Sequence, residues 1–296
     1  MQFRVYSFPR MIDLLPQFVF NGLLIGAGYA LIAVGLTMIF GIMNIANFAH
    51  GEFYMLGGCL AFFLTSTLGL PYLLALPLTV AAVVAIGLLL ERAVFRRLSG
   101  KDAMSSVLAT VGLAMILENG ALVLWGPQPQ PIPTGFSPMP LKLGPIFTTE
   151  PRLFAVAVTF GALLLVHLFL NRSLLGSAMR ATFQQSEAAA LVGIPIHRVH
   201  AATFGLGAGL AALGGALLGA IFFVHPAIGG QATLKAFIVV ILGGLGSIPG
   251  SMAGGLILGL AESLGTLISS AYKDAIGFVL VILILLYRPD GLFKRG

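Results

Sequence analysis

Residues 14–33 read LLPQFVFNGLLIGAGYALIA, a run of 20 positions without a charged side chain. A helix needs about 20 predominantly apolar residues to cross the hydrocarbon core of a bilayer. Two basic residues, Arg4 and Arg10, precede the run, as they would in a signal peptide. No convincing small-x-small cleavage site follows, and the apolar stretch is longer than a typical signal sequence. We therefore predict a retained first membrane span.

The composition of the whole chain extends this prediction beyond one span. Hydrophobic residues make up 58% of the 296 positions, charged residues only 9%, and the mean hydropathy is +1.02. Soluble domains carry about 25% charged residues, so lipid must cover a surface that this chain cannot cover with charge. The formal charge of +6 lies between apolar runs, which fits loops against anionic lipid rather than a nucleic-acid surface. We predict a single transmembrane domain over residues 1–296.

Hydropathy predicts an all-α polytopic bundle of about 8–10 spans, because each crossing segment must satisfy its own backbone groups or be shielded by protein. The predicted spans, the second of them short and broken, are 14–33, 34–49, 53–70, 72–90, 105–125, 153–170, 201–224, 232–246, 250–269 and 273–288.

Basic residues set the orientation of the bundle, because short cytoplasmic loops carry an excess of lysine and arginine. Segments 91–102 and 171–200, together with the two ends of the chain, hold 12 of the 16 basic residues. We expect these four segments to be cytoplasmic, with both termini inside. The loop 126–152 carries only Lys142 and Arg152 beside eight prolines, which predicts an extended external connection.

Two stretches interrupt the helical pattern while remaining apolar. They are residues 40–52, FGIMNIANFAHGE, and residues 224–231, VHPAIGGQ. Broken helices at membrane depth are tolerated only inside protein or beside a watery cavity. Transporters often place such breaks near the substrate, in corresponding positions of two halves. Each break follows a glycine-rich span, which suggests a weak internal repeat.

Seven polar residues at membrane depth are candidates for a translocation pathway, because such groups are expensive in lipid. They are Asn44, Asn47, His50, Glu52, Glu118, Gln231 and Glu262. The four in the first break either form a polar gate or satisfy backbone groups that the break frees. The two later glutamates either line the path or pair with structural partners. We expect Lys235 to extend to the outer interface. His197 and His200 lack a third ligand nearby, so we predict no metal site.

The loop 180–194, RATFQQSEAAALVGI, places a glutamate and small residues in a segment predicted to be cytoplasmic. A short amphipathic helix there would dock into a groove on a soluble partner. An ordinary solvated turn between spans is the alternative interpretation, because the pattern is short.

This loop resembles the coupling loop of ABC importer permeases through Glu187, Ala188, Ala189 and Gly193. Other stretches are similar to the LivH-type branched-chain amino-acid permeases, from about residue 14 to the C-terminus. These stretches are residues 21–36, residues 47–57 (NFAHGEFYMLG), Glu91-Arg92 with Phe95-Arg96, residues 242–250 (LGGLGSIPG) and residues 288–293 (RPDGLF). One departure is Glu118-Asn119, where the family more often carries an uncharged pair.

The resemblance implies a transport subunit of the bacterial inner membrane. It implies two cytoplasmic ATP-binding subunits, a periplasmic or extracellular substrate-binding protein and a second, related permease, although the sequence leaves a second copy of this chain open. Leucine, isoleucine or valine would be carried by alternating access, with Glu187 to Gly193 as the lever. The chain has no G-x-x-x-x-G-K-[ST] phosphate cradle, so ATP must bind elsewhere. We expect no enzymatic site and no cofactor in this chain.

Three other functions are alternatives to this one. An intramembrane serine protease needs an activated serine with a histidine base, and no G-x-S-x-G sequence occurs. A stand-alone ion-coupled transporter would need an intramembrane relay, for which Glu118 and Glu262 are the candidates. A related permease for urea, amides or other amino acids stays within the same family.

Overall fold

The computed structural model describes residues 11–98, 100, 102–137, 139–267, 273–288 and 291–293 of an almost entirely helical chain. The helices are α1 (Met11–Met43), α2 (His50–Phe62), α3 (Tyr72–Leu90), α4 (Arg96–Leu98), α5 (Ala103–Trp125), α6 (Glu150–Arg172), α7 (Leu174–Gln184), α8 (Ser186–Leu191), α9 (Ile196–Gly219), α10 (Ile228–Gly243), α11 (Ile248–Gly265) and α12 (Lys273–Tyr287). Short π-helical segments follow α2 at Phe63–Thr67 and α3 at Glu91–Phe95. The strands β1 (Leu141–Leu143) and β2 (Ile146–Thr148) form an antiparallel hairpin. The predicted all-α class is confirmed.

The first helix is longer than the sequence suggested. Segments 14–33 and 34–49 were predicted as two spans, but α1 runs unbroken to Met43, so this division is wrong. Residues 34–43 contain no proline, and a glycine in a membrane helix serves close packing as readily as it serves a break. The helix ends where Asn44 adopts φ 54°, a left-handed conformation that asparagine tolerates.

The described helices agree with a polytopic membrane bundle. Five of them are long and apolar enough to cross a membrane alone, and α10 with α11 pass the same test as a pair bent by 117°. The shorter α12 is also apolar over Ala275–Tyr287. Within the described residues, nine helices occupy the ten predicted spans, because the first two spans are fused.

Helices α1 and α9 form the centre of the bundle. In each of them 78% of the most apolar stretch is buried within the subunit, against 17% in α5 and 28% in α3 and α6. The outer helices therefore turn most of their apolar surface toward lipid or another subunit. The central helices pack closely through glycine. A Cβ atom on Gly26 of α1 would lie 2.7 Å from the carbonyl oxygen of Gly255 on α11, so the two backbones touch.

Helix α1 connects two opposite faces of the bundle, one that carries the hairpin and one that carries Phe183. Near the start of α1, the Gln17 side chain accepts a hydrogen bond of 2.7 Å from the backbone N–H of Phe147 in the hairpin. Near its end, Gly41 contacts the ring of Phe183, from the segment 171–200. After α12, the backbone N–H of Leu292 donates a hydrogen bond to the carbonyl of Leu242, near the end of α10. The chain after α12 therefore lies at the same face as Phe183.

The described chain begins α1 on one face of the bundle and ends α12 on the other, because fusing two predicted spans into α1 removes one crossing. The prediction that both termini are inside concerns residues 1–10 and 294–296, which lie outside the described residues. The basic residues Arg4, Arg10, Lys101, Lys294 and Arg295, on which part of that prediction rested, lie outside the described residues.

The proline-rich connection runs across the hairpin face of the bundle. No helix occurs in the described residues between α5 and α6, as fixed proline φ angles and missing N–H donors dictate. Backbone hydrogen bonds of 2.8 and 2.9 Å join Gln130 to Val224, which precedes α10. Pro138 of this loop lies outside the described residues.

Candidate functional site

A cavity of about 300 Å³ lies between α1, α2, α9 and α10. Residues of α1 spaced by four and three positions line one wall, and residues of α10 from Ile228 to Lys235 line another. Tyr54 of α2, Leu218 of α9 and Phe222, which follows α9, complete the lining. The residues that line it are Ile25, Tyr29, Ile32, Tyr54, Leu218, Phe222, Ile228, Gln231, Ala232 and Lys235. The volume falls at the lower end of the range of about 300–1,000 Å³ for small-molecule sites.

An ion pair closes one side of this cavity. The ammonium group of Lys235 on α10 pairs with Oε1 of Glu262 on α11, and the hydroxyl of Tyr29 donates to Oε2 of the same carboxylate at 2.9 Å. The Lys235 ammonium also lies 5.9 Å from the centre of the Tyr29 ring. Two charges at membrane depth are therefore compensated by each other and by a phenol, as buried charges require.

Two further polar groups face the cavity. The side chain of Tyr54 is 7% exposed, and its hydroxyl has no hydrogen-bond partner among the described residues. Gln231 lies one turn before Lys235 on α10, and its amide has no hydrogen-bond partner in the described part of the chain. The other walls are aliphatic or aromatic. The cavity thus combines an apolar lining with a few convergent polar groups, as ligand sites do.

A second, smaller cavity adjoins the first on the hairpin side. It has a volume of about 160 Å³ and shares Ile25 and Phe222 with the larger one. Its polar wall includes Asn21 of α1, Ser263 of α11 and Arg152, near the start of α6. Because Arg152 follows the hairpin closely in the chain, the two cavities form a row from the hairpin face toward Lys235.

The predicted pathway residues do not form one cluster. Gln231 lines the cavity, and Glu262 lies directly behind it with no exposed surface. Asn44 is exposed at the end of α1, and Glu118 is half-buried on α5. The other three, Asn47, His50 and Glu52, are buried at the start of α2.

The start of α2 is held by side chains that serve the backbone. The Asn47 side chain accepts a hydrogen bond of 3.1 Å from the backbone N–H of Ala49, and a ring nitrogen of His50 lies 3.0 Å from the carbonyl of Ile32 on α1. Glu52 contacts Gly229 at the start of α10. The predicted alternative, satisfaction of backbone groups at the break, describes Asn47. One polar atom on each of Asn47, His50 and Glu52 stays buried without a partner among the described residues.

Helix α5 exposes polar groups in the middle of an apolar span. Asn119 is exposed, and its amide donates to the carbonyl of Met115 within the helix at 2.7 Å. Glu118 precedes it and is half-buried. Polar and ionisable side chains are expensive in hydrocarbon and normally face protein or water.

The loop with the predicted coupling residues forms a short helix. Residues Ser186–Leu191 are α8, in which Glu187 and Ala188 are exposed and Ala189 is buried. Gly193 follows with φ 87°, a left-handed conformation that favours glycine and turns the chain toward α9. Leu191 is 89% exposed and Val192 is 79% exposed. An apolar tip therefore projects from the face that carries Phe183.

Sequence reasoning missed three of the four polar residues that line the cavity. Tyr29 and Tyr54 were not among the candidate pathway residues, and Lys235, which we expected to extend to the outer interface, instead pairs with Glu262. A signal was available, since Lys235 and Glu262 are single opposite charges in neighbouring spans. Opposite charges in spans usually pair.

Comparison with known proteins extends the similarity over nearly the whole chain. The family described as "Branched-chain amino acid transport system / permease component" matches residues 18–285. The chain is 36% identical to "High-affinity branched-chain amino acid transport system permease protein BraD" of Pseudomonas aeruginosa, over 97% of this chain and 98% of that protein. It is 37% identical to the corresponding permease protein LivH of Escherichia coli, over 94% of this chain and 95% of that protein.

Proposed function

The chain belongs to the permease-component family of branched-chain amino acid transport systems, and from this premise we propose that it is the membrane-spanning permease subunit of an ATP-driven importer for leucine, isoleucine and valine. The observation that carries this proposal is the similarity along almost the full length of two high-affinity permeases. Five apolar helices, together with one bent pair of helices that counts as a sixth span, supply the membrane domain that such a subunit needs.

Energy for transport enters through other subunits. The sequence contains no G-x-x-x-x-G-K-[ST] phosphate cradle, so a separate pair of cytoplasmic ATP-binding subunits must bind and hydrolyse ATP. The proposed contact is α8, where Leu191 and Val192 form an exposed apolar tip beside the exposed Glu187. A helix with an apolar tip suits a groove on a soluble partner.

Motion of α8 reaches the centre of the bundle through α7. The ring of Phe183 at the end of α7 contacts Gly41 of α1 and Gly246, between α10 and α11. A displacement of α8 by an ATP-binding subunit would therefore shift α1 against the bent pair. Rigid-body movement of this kind alternates the access of a central site between the two faces.

The exposed polar groups of α5 support a second permease subunit. Asn119 and Glu118 avoid contact with lipid hydrocarbon only if another protein or a water-filled path covers this side of α5. The partner is a related permease or a second copy of this chain, in the inner membrane. An external substrate-binding protein delivers the amino acid at the hairpin face.

Competition uptake tests the proposed substrate class. Cells that produce this chain with its ATP-binding and substrate-binding partners are given radiolabelled leucine and an excess of unlabelled competitor. Isoleucine and valine should abolish leucine uptake, whereas urea and acetamide should not. Uptake of urea or acetamide in place of leucine would assign the chain to a related permease.

A further inference from the structure

We propose that the groove between α3, α6 and α9 binds an anionic phospholipid, with one acyl chain in the groove and the phosphate against arginines at its end. The groove shares no lining residue with the cavity beside Lys235. This inference goes beyond the importer function and does not depend on it, because it requires only that the chain spans a membrane.

The groove is lined by hydrocarbon. It has a volume of about 370 Å³, and every residue that lines it is apolar or glycine. Val84 and Leu88 contribute from α3, Phe169 contributes from the last turn of α6, and α9 contributes Gly205 and Gly209, which carry no side chain. Helices α3 and α6 turn most of their apolar surface away from the protein, so the groove lies where lipid reaches it.

The length of the groove matches one leaflet of a bilayer. Along α9 the lining residues run from Ala202 to Leu213, eleven positions later, which corresponds to about 16 Å at a rise of about 1.5 Å per residue. Half of the hydrocarbon core is about 15 Å thick. A protein helix is about 10–12 Å across with its side chains and is too wide for this volume. A single acyl chain is therefore the occupant that fits.

Helices α3 and α9 run in opposite directions along the groove. A Cβ atom on Gly205 would lie 3.2 Å from the Leu88 side chain, and one on Gly209, one turn later, would lie 2.9 Å from the earlier Val84. The end of α3 therefore lies beside the start of α9. Segment 171–200, which carries Phe183, connects the end of α6 to the start of α9. This end of the groove is thus at the face that carries Phe183.

Three arginines lie at this end, one beside each helix. They are Arg92 just after α3, Arg172 at the end of α6 and Arg198 in the first turn of α9. Each is three or four positions from a lining residue of its own helix, the spacing that keeps two side chains on one helix face. All three are exposed, and none forms an ion pair within the described part of the chain.

Positive charge exceeds negative charge around these arginines. Segments 91–102 and 171–200 carry seven basic and three acidic residues. Of the acidic ones, Glu91 is buried and interacts electrostatically with Arg96 and His197, and Asp102 caps the start of α5. Arginine binds phosphate through paired N–H donors. Each arginine near the membrane surface should strengthen the binding of an anionic lipid by about fivefold.

Photolabelling of the wild-type chain tests the site without any substitution. A phosphatidylglycerol with a diazirine on one acyl chain is irradiated with the full chain in phosphatidylcholine nanodiscs, and the labelled peptides are identified by mass spectrometry. We expect labelling on α3 and α9 along the groove, and we expect unlabelled dioleoyl phosphatidylglycerol to compete at least about tenfold better than dioleoyl phosphatidylcholine. Equal competition by the two lipids, or labelling spread evenly over exposed helices such as α5, would mean an unspecific lipid coat and would overturn the proposal.

Two sets of variants separate the acyl chain from the phosphate. Leu206→Trp places a larger side chain in the groove and should reduce the groove labelling at least about fivefold, since the chain is excluded. Leu165→Trp, at a position of α6 that is 68% exposed and outside the groove lining, is the matched control.

The double variant Arg172→Gln with Arg198→Gln should reduce the preference for phosphatidylglycerol about 25-fold, from about fivefold for each arginine. Arg152→Gln, near the hairpin, is its control and should leave the preference unchanged. An unchanged preference in the double variant would overturn the arginine end of the site. If Leu206→Trp does not fold, the competition on the wild-type chain still decides between a specific site and an unspecific coat.

Discussion

Lys235 on α10 and Glu262 on α11 form an ion pair across 27 positions of sequence, and the Glu262 side chain has no exposed surface. The bend of 117° between the two helices brings these residues together. Tyr29 of α1 completes the cluster with its hydrogen bond to the carboxylate. One central helix and both arms of the bent pair are therefore joined at a single buried charge.

Removal of one member of this pair should destabilise the subunit more than removal of both. Lys235→Met leaves the Glu262 carboxylate buried without its counter-charge, which costs about 3–5 kcal/mol in comparable pairs. The double variant Lys235→Met with Glu262→Gln removes both charges of this pair and should recover most of that loss. Thermal unfolding of the purified subunit in detergent measures the difference. Equal unfolding temperatures for the single and double variants would show that the pair is not the source of the effect.

Close packing of glycine should distinguish two otherwise similar substitutions. A Cβ atom on Gly57 of α2 would collide with the backbone of Ala212 on α9, whereas one on Gly161 of α6 meets no heavy atom within 4 Å. Gly57→Ala should lower the free energy of unfolding by about 1–3 kcal/mol through overpacking. Gly161→Ala should leave it unchanged or raise it by up to about 1 kcal/mol, because alanine is the better helix former. Denaturant unfolding in detergent measures the free energy of unfolding of both variants. An equal decrease in both would contradict the close packing at Gly57.

Charge reversal on α8 should uncouple transport from ATP hydrolysis. Glu187 is exposed at the proposed contact with an ATP-binding subunit, so Glu187→Lys should assemble in the membrane yet abolish ATP-driven leucine uptake. Gln184→Lys places the same charge at the end of α7 and serves as the control. ATP hydrolysis and uptake are measured on the same vesicles. Normal uptake by Glu187→Lys would remove α8 from the coupling role.

A bulky residue at Asn119 should weaken the association with the second permease. Asn119→Trp changes an exposed position of α5 and should not alter the unfolding temperature of the isolated subunit. It should reduce co-purification of the second subunit several-fold. Leu124→Trp, about 140° around the same helix, is the control. Equal co-purification of both variants with wild type would mean that α5 faces lipid.

Hydropathy and charge predicted most of the bundle because lipid imposes simple rules on a chain. These rules act on local properties of the sequence. Those properties are the length of an apolar run, the absence of charge, and the helix-breaking residues after Met43 and before Ile228. The fused first helix was missed for a physical reason. Gly35 and Gly41 look like interruptions in a sequence, whereas in the fold they let Gly207 and the Phe183 ring approach α1.

The cavity required tertiary information. No sequence spacing indicates that Tyr29, Tyr54 and Gln231 meet, because they lie on three helices whose arrangement depends on packing. The sequence did mark Gln231 and Glu262 as costly polar groups in lipid. It could not assign the counter-charge of Glu262, since that depends on the bend between α10 and α11.

Leucine uptake into vesicles with components added one at a time tests the central proposal most directly. Vesicles containing this chain and its permease partner receive the ATP-binding subunits, the substrate-binding protein and internal ATP in turn. We predict accumulation of leucine only when every component is present. Accumulation by this chain alone, driven by an ion gradient without ATP, would contradict the importer function and point to a stand-alone transporter.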